Sequence, residues 1–443
     1  MHRIDGPGAT VDNKFTEGNP GGGIAPTTVT ADWANAVQGE ITAAVEKTGQ
    51  VLNKADNTQL WEALRRMGKR QPEPLLRLPL KNSLDALIGK GVLQYTRSGN
   101  ATQLDAFGRM QVLGTDNPVF ESGRHRMEGQ STNYAWPSND PTVWIKNNVT
   151  AGFPTLIAGG FDGTKDSYRV KFDAVSGANI GKAEAIAGMA AGDVFTGSVW
   201  IKVTSGTVGI TLFEQGGVSP GVSLVFAQGT AAALGKWVLI QKPGTIVGTD
   251  RTTIYWQIRN IGAAVADFEI CEYKLEKLPF ATSRVPTLTG PVTRNADSLT
   301  LLDPFGNAVR SDMPMAMFAT VELFGVHPTL QQEAIAFNSE APNRRILVAS
   351  GLASMNGWSS MPSAVTALAP ARLPNVPYRL GWRFEGTKLS YWEKGIKLGE
   401  VTPATPLSTA QPTAITIGGN LFGYISDVDI HGFAPSDYEM SIL

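Results

Sequence analysis

Aromatic, amide and guanidinium side chains, the mix of groups a polyol pocket uses, fall on shared strand faces in this sequence. Tyr255, Gln257 and Arg259 alternate with Ile254, Trp256 and Ile258, so one face of one strand carries the first three while the apolar set faces inward. Trp200 likewise projects away from Phe195, Val199, Ile201 and Val203 in its own run. Aromatic faces stack on sugar rings, while amide and guanidinium groups hydrogen-bond hydroxyls. The same residue types are enriched where one subunit packs on another, so a packing role stands beside the binding one. Trp358, in Asn356-Gly357-Trp358-Ser359-Ser360, is a further exposed-aromatic candidate, with a loop anchor as its alternative.

Groups for bond-breaking chemistry do not converge in this way. His2, His125, His327 and His431 are scattered, and none sits in a metal spacing such as H-E-x-x-H. No Walker loop or paired-cysteine motif occurs. Asp162, Asp166 and Asp173 match no calcium-loop spacing and read as loop carboxylates. Asp427 and Asp429 share one strand face and read as solvated. Cys271 is the sole cysteine, which rules out an intrachain disulfide; within Phe268–Tyr273 it reads as a small buried hydrophobe. The expectation is a protein with no catalytic residue, no metal and no cofactor, hence not an enzyme. Glycosidase chemistry needs only two carboxylates at a suitable separation, so a glycan-cleaving activity stays as the lesser alternative.

The elements that must position these residues are mostly strands. Val208, Ile210 and Leu212 share a face, and Trp237-Val238-Leu239-Ile240 reads as a more fully buried strand. Tyr378, Leu380, Trp382 and Phe384 alternate with Arg379, Gly381 and Arg383, and Lys388–Leu398 reads as a hairpin turning at Glu393-Lys394-Gly395. Further strands are expected at Ile415–Ile417 and Gly423–Val428, and Ser436 with Glu439 forms a capping box for one last helical turn. Strands broken by Gly-rich turns, without a helical period between them, indicate antiparallel sandwiches.

The N-terminal part differs. Residues 1–28 hold six glycines and three prolines, too apolar-poor to form their own core, so they are either disordered or ordered only against a partner. Thr30 is the expected cap of a helix that aligns Trp33, Val37, Ile41, Ala44 and Val45. A second helix is expected from about Asn57 to Met67, capped by Asp56 or Asn57, with Leu60, Leu64 and Met67 aligned and Trp61 beside them. Two short helices cannot bury both stripes alone, which favours association with further copies in a small bundle. Three prolines in residues 68–82 mark a semi-rigid linker and a domain boundary.

Size and charge exclude other classes. A chain of 443 residues is long enough for roughly three domains and needs no staples. Lys+Arg 38 against Asp+Glu 39 leaves no basic field for nucleic acid or an anionic membrane. No apolar run approaches the ~20 residues of a membrane span, and the start lacks a secretory core. A soluble protein made in a cytoplasm is expected.

Residues 1–41, from Met1-His2-Arg3-Ile4-Asp5 to Gln38-Gly39-Glu40-Ile41, resemble the N-terminal segment of bacteriophage tail-fibre and related virion proteins. The resemblance implies that this end attaches to the particle. The runs Tyr95-Thr96-Arg97, Leu104–Gly108, Asn117–Glu121 and Glu128–Asn133 resemble the approach to a jelly-roll, carbohydrate-binding-like module in such proteins. Leu275-Glu276, Phe280–Thr287 and Val292–Asp297 resemble its exit. Both flanks hold a Thr-Arg pair, Thr96-Arg97 and Thr293-Arg294, which suggests that they lie together at the base of the module. From about Ala319 onward the chain resembles the concanavalin-A-like, laminin-G-like sandwiches of fibre tips.

The expected fold is therefore mainly β: an extended N-terminal segment, short helices, then two antiparallel β-sandwich (jelly-roll) domains. The expected divisions are an attachment segment at 1–28, a helical oligomerisation region at 29–68, a Pro-rich linker at 69–93, the jelly roll at 94–297 and the concanavalin-like domain at 298–443. Trp33, Val37, Ile41, Val45, Leu60, Trp61 and Leu64 would serve attachment and oligomerisation. The resemblance implies a homotrimeric virion fibre. It would be joined at its N-terminus to tail, baseplate or other virion proteins and contact a host-surface glycan or lipopolysaccharide, with no nucleic acid and no membrane insertion. A purely structural collar, head or baseplate fibre is the first alternative, and a depolymerase the second.

Overall fold

The computed structural model describes residues 2–48, 50–68, 74–89, 92–104, 110–163, 165–216, 222–228, 235–302, 314–328, 330, 332–337, 345–349, 373–385, 388–402 and 414–443. It divides into two compact units, one of residues 1–73 with 435–443 and one of residues 74–434. The division falls inside the Pro-rich stretch, while the last nine residues group with the N-terminal unit. No described helix is long and apolar enough to cross a membrane.

In the first unit the Gly-rich segment folds back on itself. Thr28 donates its amide to the Pro7 carbonyl (2.8 Å) and Thr27 to that of Thr16 (3.0 Å), while the Thr27 hydroxyl reaches the Gly8 carbonyl (2.9 Å). Glycine permits the approach: Gly8 has φ +78°, and a Cβ there would lie 2.3 Å from the Pro26 oxygen. Gly8→Ala is expected to loosen this fold by about 1–2 kcal/mol, the cost of a left-handed non-glycine residue before the clash is counted. Hydrogen exchange at the Thr27 and Thr28 amides checks this; unchanged protection would show that the close approach holds nothing.

The two helices form as expected. Ala31–Lys47 is capped by the Thr30 hydroxyl, which accepts from the Trp33 amide at 3.3 Å. Gln59–Gly68 begins after a turn in which Asp56 accepts from both the amide and the hydroxyl of Thr58 (2.8 and 2.6 Å). Val45 is buried, Trp33, Val37 and Leu60 are half-buried, and Ile41, Trp61 and Leu64 stay 42%, 67% and 53% exposed. Phe15 packs edge-on against Trp33, with ring centroids 5.2 Å apart. Asp437–Ile442 carries the expected capping box between Ser436 and Glu439.

The second unit is mainly β and holds two antiparallel sandwiches. The first encloses its core between two five-stranded sheets. One runs, in spatial order, Val238–Thr245, Val194–Ser205, Ala266–Glu276, Ser167–Phe172 and Thr155–Ile157. The other runs Val222–Gln228, Val208–Gln215, Thr253–Asn260, Asn179–Ala185 and Ile145–Asn147. Trp256 stacks on Tyr273 across this core (4.0 Å, 13°) and meets the edge of Trp144 at 4.7 Å. Val238–Thr245 lies at a sheet edge with one neighbour, and Val238, Leu239 and Ile240 are half-buried, not the fully buried strand their apolar run suggests. An apolar run shows that a strand forms; its place in the sheet decides how far it is covered.

The second sandwich packs an eight-stranded sheet over a five-stranded one. Its hairpin is the expected one, Lys388–Glu393 returning as Ile396–Val401 through Lys394 and Gly395, both at positive φ. Its sheets also cross two expected boundaries. Val92–Thr96 pairs with Ser298–Leu302, joining the stretch expected in the jelly roll to the C-terminal sandwich. Leu76–Leu78, within the stretch expected as linker, pairs with Gly423–His431, as does Arg124–Met127. The first sandwich is thus inserted into the second. Open sheet edges seek partners wherever the chain supplies them, and the segments before the insertion supply them here.

The two flanks of the insertion meet. Ser131–Asn133 pairs with Val292–Arg294, and buried charges lock the joint. Arg97 grips Asp297 through Nε (2.9 Å) and Nη2, and Arg294 Nη1 reaches Glu128 at 2.6 Å. The Asp297 carboxylate also accepts the Glu128 amide at 2.9 Å. The shared Thr-Arg pairs thus mark a real juncture.

Candidate functional site

A cavity of about 330 Å³ opens where the two sandwiches join. Trp200, Leu239 and Gln241 reach it from one sheet of the first sandwich. Trp200 stands opposite Leu239, and Ser198 opposite Gln241, so this wall is one face of paired strands. The face lies outside the core, and Trp200 packs there with Phe161, Trp237 and Cys271. Alternation with Val199 and Ile201 turns Trp200 outward, and a bulge in the neighbouring strand sets Cys271 opposite it: Val199 opposes Tyr273, but Trp200 opposes Cys271, leaving Glu272 over at φ +53°. The far wall comes from the flanks and the second sandwich, with Gln103, Glu121, Arg126 and Phe324 among its residues.

Arg126 is the cation of this wall and is nearly buried. Its Nη1 meets both oxygens of Glu121 (3.0 and 3.1 Å), and its Nη2 donates to the Thr102 carbonyl (2.5 Å) and the Ser283 hydroxyl (2.7 Å). Tyr424 donates its hydroxyl to Glu121 at 2.8 Å, and burial followed by the Glu121 charge holds that phenol above its ordinary range. Burial alone would raise the Glu128 carboxyl, but Arg294, Arg126, Arg97 and the Ser283 side chain outweigh it and hold the group well below its usual value. Two buried atoms of lining residues, Arg126 Nε and Gln103 Oε1, have no hydrogen-bond partner among the described residues. The wall therefore offers an indole, two phenyl rings and the amides of Gln103, Gln241 and Asn375. That set can hold a polyhydroxylated ring by stacking and hydrogen bonding.

The candidates from the sequence divide between two surfaces. Tyr255, Gln257 and Arg259 do share a strand face, on the outer side of the sheet opposite the one that carries Trp200. They and Trp200 cannot form one site. Tyr255 lies near-parallel to Phe213 at 6.5 Å, and Gln257, 7% exposed, donates to Asn179 Oδ1 at 3.1 Å. Trp358 lies outside the described residues. Gln103, Glu121, Arg126 and Gln241 are site residues that the sequence does not single out. The one signal it carries is Arg124-His125-Arg126, a charged run beside strand formers, which is poor material for a buried strand unless partners await it.

The loop carboxylates have separate tasks. Asp162 accepts from the Lys165 amide (2.5 Å), Asp166 from the Gly159 amide (3.0 Å) and Asp173 from the Thr150 hydroxyl (2.7 Å). Asp429 is buried, bonded to Arg77 Nε (2.8 Å) and Arg379 Nη2 (2.7 Å), so it is not solvated as its spacing suggests. Cys271 is buried, and its thiol is pushed up to about 12 mainly by that burial. No group of three or more His, Cys, Asp or Glu among the described residues is placed to hold a metal.

No family model and no curated protein sequence matches the chain. Among solved structures, domain 4 of AbnA, a GH43 extracellular arabinanase from Geobacillus stearothermophilus in complex with arabinotriose, is similar at 13% identity and a TM-score of 0.28 over 37% of this chain and 81% of its own. The N-terminal CBM22 tandem domain of Paenibacillus barcinonensis Xyn10C is similar at 9% identity and a TM-score of 0.26, over 69% and 98%. A structure of carbohydrate-binding modules from the β-sandwich superfamily is similar at 10% identity and a TM-score of 0.26, over 46% and 98%. At these scores the whole chains do not superpose.

Proposed function

We propose that this chain is a subunit of a bacteriophage virion fibre that holds a host-surface glycan in the cavity where its two sandwiches join. The cavity carries the reading: Trp200 and phenyl rings share a wall with amides and a fixed guanidinium, the mixture that binds sugars rather than apolar ligands. Attachment to the particle is read from the resemblance of residues 1–41 to virion-fibre N-termini. Assembly as a homotrimer is read from the same resemblance, with the exposed Ile41, Trp61 and Leu64 as surface left for further copies.

The test is incubation of the purified protein with host lipopolysaccharide, following both retention and released oligosaccharide. Retention without release is expected, reduced at least tenfold in Trp200→Ala, about 1.4 kcal/mol for the lost ring contact. Retention absent altogether would leave a structural fibre, and release would make the protein a glycan-cleaving enzyme. Light scattering that returned a monomer mass would remove the trimer.

A further inference from the structure

We propose that Trp237 forms an outer subsite on the open sheet face beside the cavity, so that the ligand is a linear glycan whose end alone enters the cavity. The inference rests on the glycan-binding reading above. Trp200 carries the continuity. It lines the cavity and stands opposite Leu239, so Trp237, two residues before Leu239, is its diagonal neighbour on the same face, with about 7–8 Å between the backbones. Phe161 joins the two indoles, its ring 5.8 Å from that of Trp200 and 4.9 Å from that of Trp237. This cluster lies outside the sandwich core, and both indoles are only half-buried. Polar groups stand beside the outer ring. The register that pairs Ile201 with Val238 brings Lys202 opposite Trp237, and Lys202 Nζ is 5.4 Å from the indole centroid. Nζ also pairs with Glu269 Oε1 at 2.5 Å, and the two side chains stay 25% and 14% exposed. Glu269 accepts the Ser167 hydroxyl as well (3.2 Å). An ammonium has three donors and a carboxylate about four acceptor positions, so the pair keeps capacity for ligand hydroxyls while the ring stacks on the sugar. A charged pair at the surface also argues against a second subunit as occupant, because charged residues are depleted at the centre of such contacts. The cavity, about 330 Å³, is at the low end of the about 300–1,000 Å³ of small-molecule sites. It takes a chain end, and the sugars that follow must lie outside it.

The test frees the polysaccharide of host lipopolysaccharide with mild acid, fractionates it by chain length, and measures retention of each fraction by the full chain and its variants. The natural chain is expected to retain long fractions about tenfold more strongly than the shortest it binds, the scale of one aromatic contact. In Trp237→Ala that ratio is expected to fall to about one, and Trp237→Tyr, which keeps a ring, is expected to restore most of it. The ratio does not depend on how much of each variant is folded. Trp200→Ala is expected to lose every fraction. Equal retention of all fractions by the natural chain, or an unchanged ratio in Trp237→Ala, overturns the outer subsite and leaves the cavity reading standing. Loss of every fraction by Trp237→Ala overturns it too, because Trp237 then supports the cavity and is no separate subsite. A smaller mass for Trp237→Ala in light scattering makes the face a subunit contact and overturns it likewise. Retention of no fraction by the natural chain overturns both readings.

Discussion

Arg97→Met is expected to destabilise the protein by about 3–5 kcal/mol, because it leaves a buried carboxylate without its countercharge. The Arg97 and Asp297 side chains are both wholly inaccessible to water, and the guanidinium makes two bonds to that carboxylate. Asp297 is held up mainly by its burial, with Arg97 pulling it back toward ionisation. Removing Arg97 removes the pull and leaves the burial. Arg294 shares part of the load, since its charge also pulls Asp297 toward ionisation, while the Glu128 carboxylate pushes the other way. That is why the loss should sit within the usual range for a broken buried pair and not above it. Unfolding followed by tryptophan fluorescence, with the midpoint converted at constant slope, measures it.

The double variant Arg97→Met with Asp297→Asn sharpens the test. Asparagine keeps an oxygen for the Glu128 amide that Asp297 now accepts. Removing both charges therefore takes away the uncompensated anion and preserves one hydrogen bond. The double variant should be more stable than Arg97→Met alone, and the coupling energy in the cycle is the interaction itself. A double variant that loses the sum of the two single losses would show that the pair does not interact, and that Arg97 matters only as bulk.

These residues also show what is legible in the chain alone. Alternation puts Ile254, Trp256 and Ile258 in a core and Tyr255, Gln257 and Arg259 outside it, because side-chain direction in a strand is a local property. Thr30, Ser436 and Lys394-Gly395 are legible for the same reason: caps and tight turns are fixed within a few residues. The proximity of Thr96-Arg97 and Thr293-Arg294 follows from their likeness. Which carboxylate each arginine takes does not, since Arg97 reaches Asp297 across 200 residues and Arg294 reaches Glu128 across 166. Sheet order is equally hidden. Nothing in a strand's pattern says which of two packed sheets it joins, so alternation groups Trp200 with Tyr255 although they lie on opposite outer faces.

The same logic explains why the cavity is invisible in the sequence. Its wall draws on Gln103, Glu121, Trp200, Gln241, Phe280 and Phe324, which no spacing rule connects. They meet because one sandwich is inserted into the other and the flanks must close beneath it. The polar joint and the cavity share Arg126 and Glu128. The site is thus built from the machinery that fixes the insertion, and a variant of either residue would confound binding with folding. Trp200, which takes no part in the ion pairs of the joint, is the cleaner probe, whereas Gln241 also accepts the Ala281 amide at 2.7 Å.

Acid should loosen the same region through His125. The imidazole is wholly buried, with Nδ1 3.0 Å from the Val119 carbonyl, the rings of Tyr95 and Phe120 at 5.3 and 5.1 Å, and Nε2 without a hydrogen-bond partner among the described residues. Burial lowers its pKa to about 4, helped by the Arg97 and Arg126 charges and opposed by the Val119 bond. In the unfolded chain it returns to about 6.5. Because the folded value lies below the unfolded one, the unfolded state binds the proton first. The stability that neutral His125 confers is complete well above pH 6.5, falls as the pH drops through that value, and is exhausted near pH 4. Between pH 6.5 and 5, before most carboxylates titrate, the loss from this one group is about 1.5 kcal/mol. His327, whose pKa burial also lowers, is present in both proteins of the comparison that follows and cancels from it. His125→Phe keeps an aromatic ring between Tyr95 and Phe120 and removes the titration. Its stability should change far less from pH 6.5 to 5 than that of the natural protein, at some fixed cost for the lost Val119 bond. Parallel stability curves for the two proteins across this interval would rule His125 out as the source of acid sensitivity.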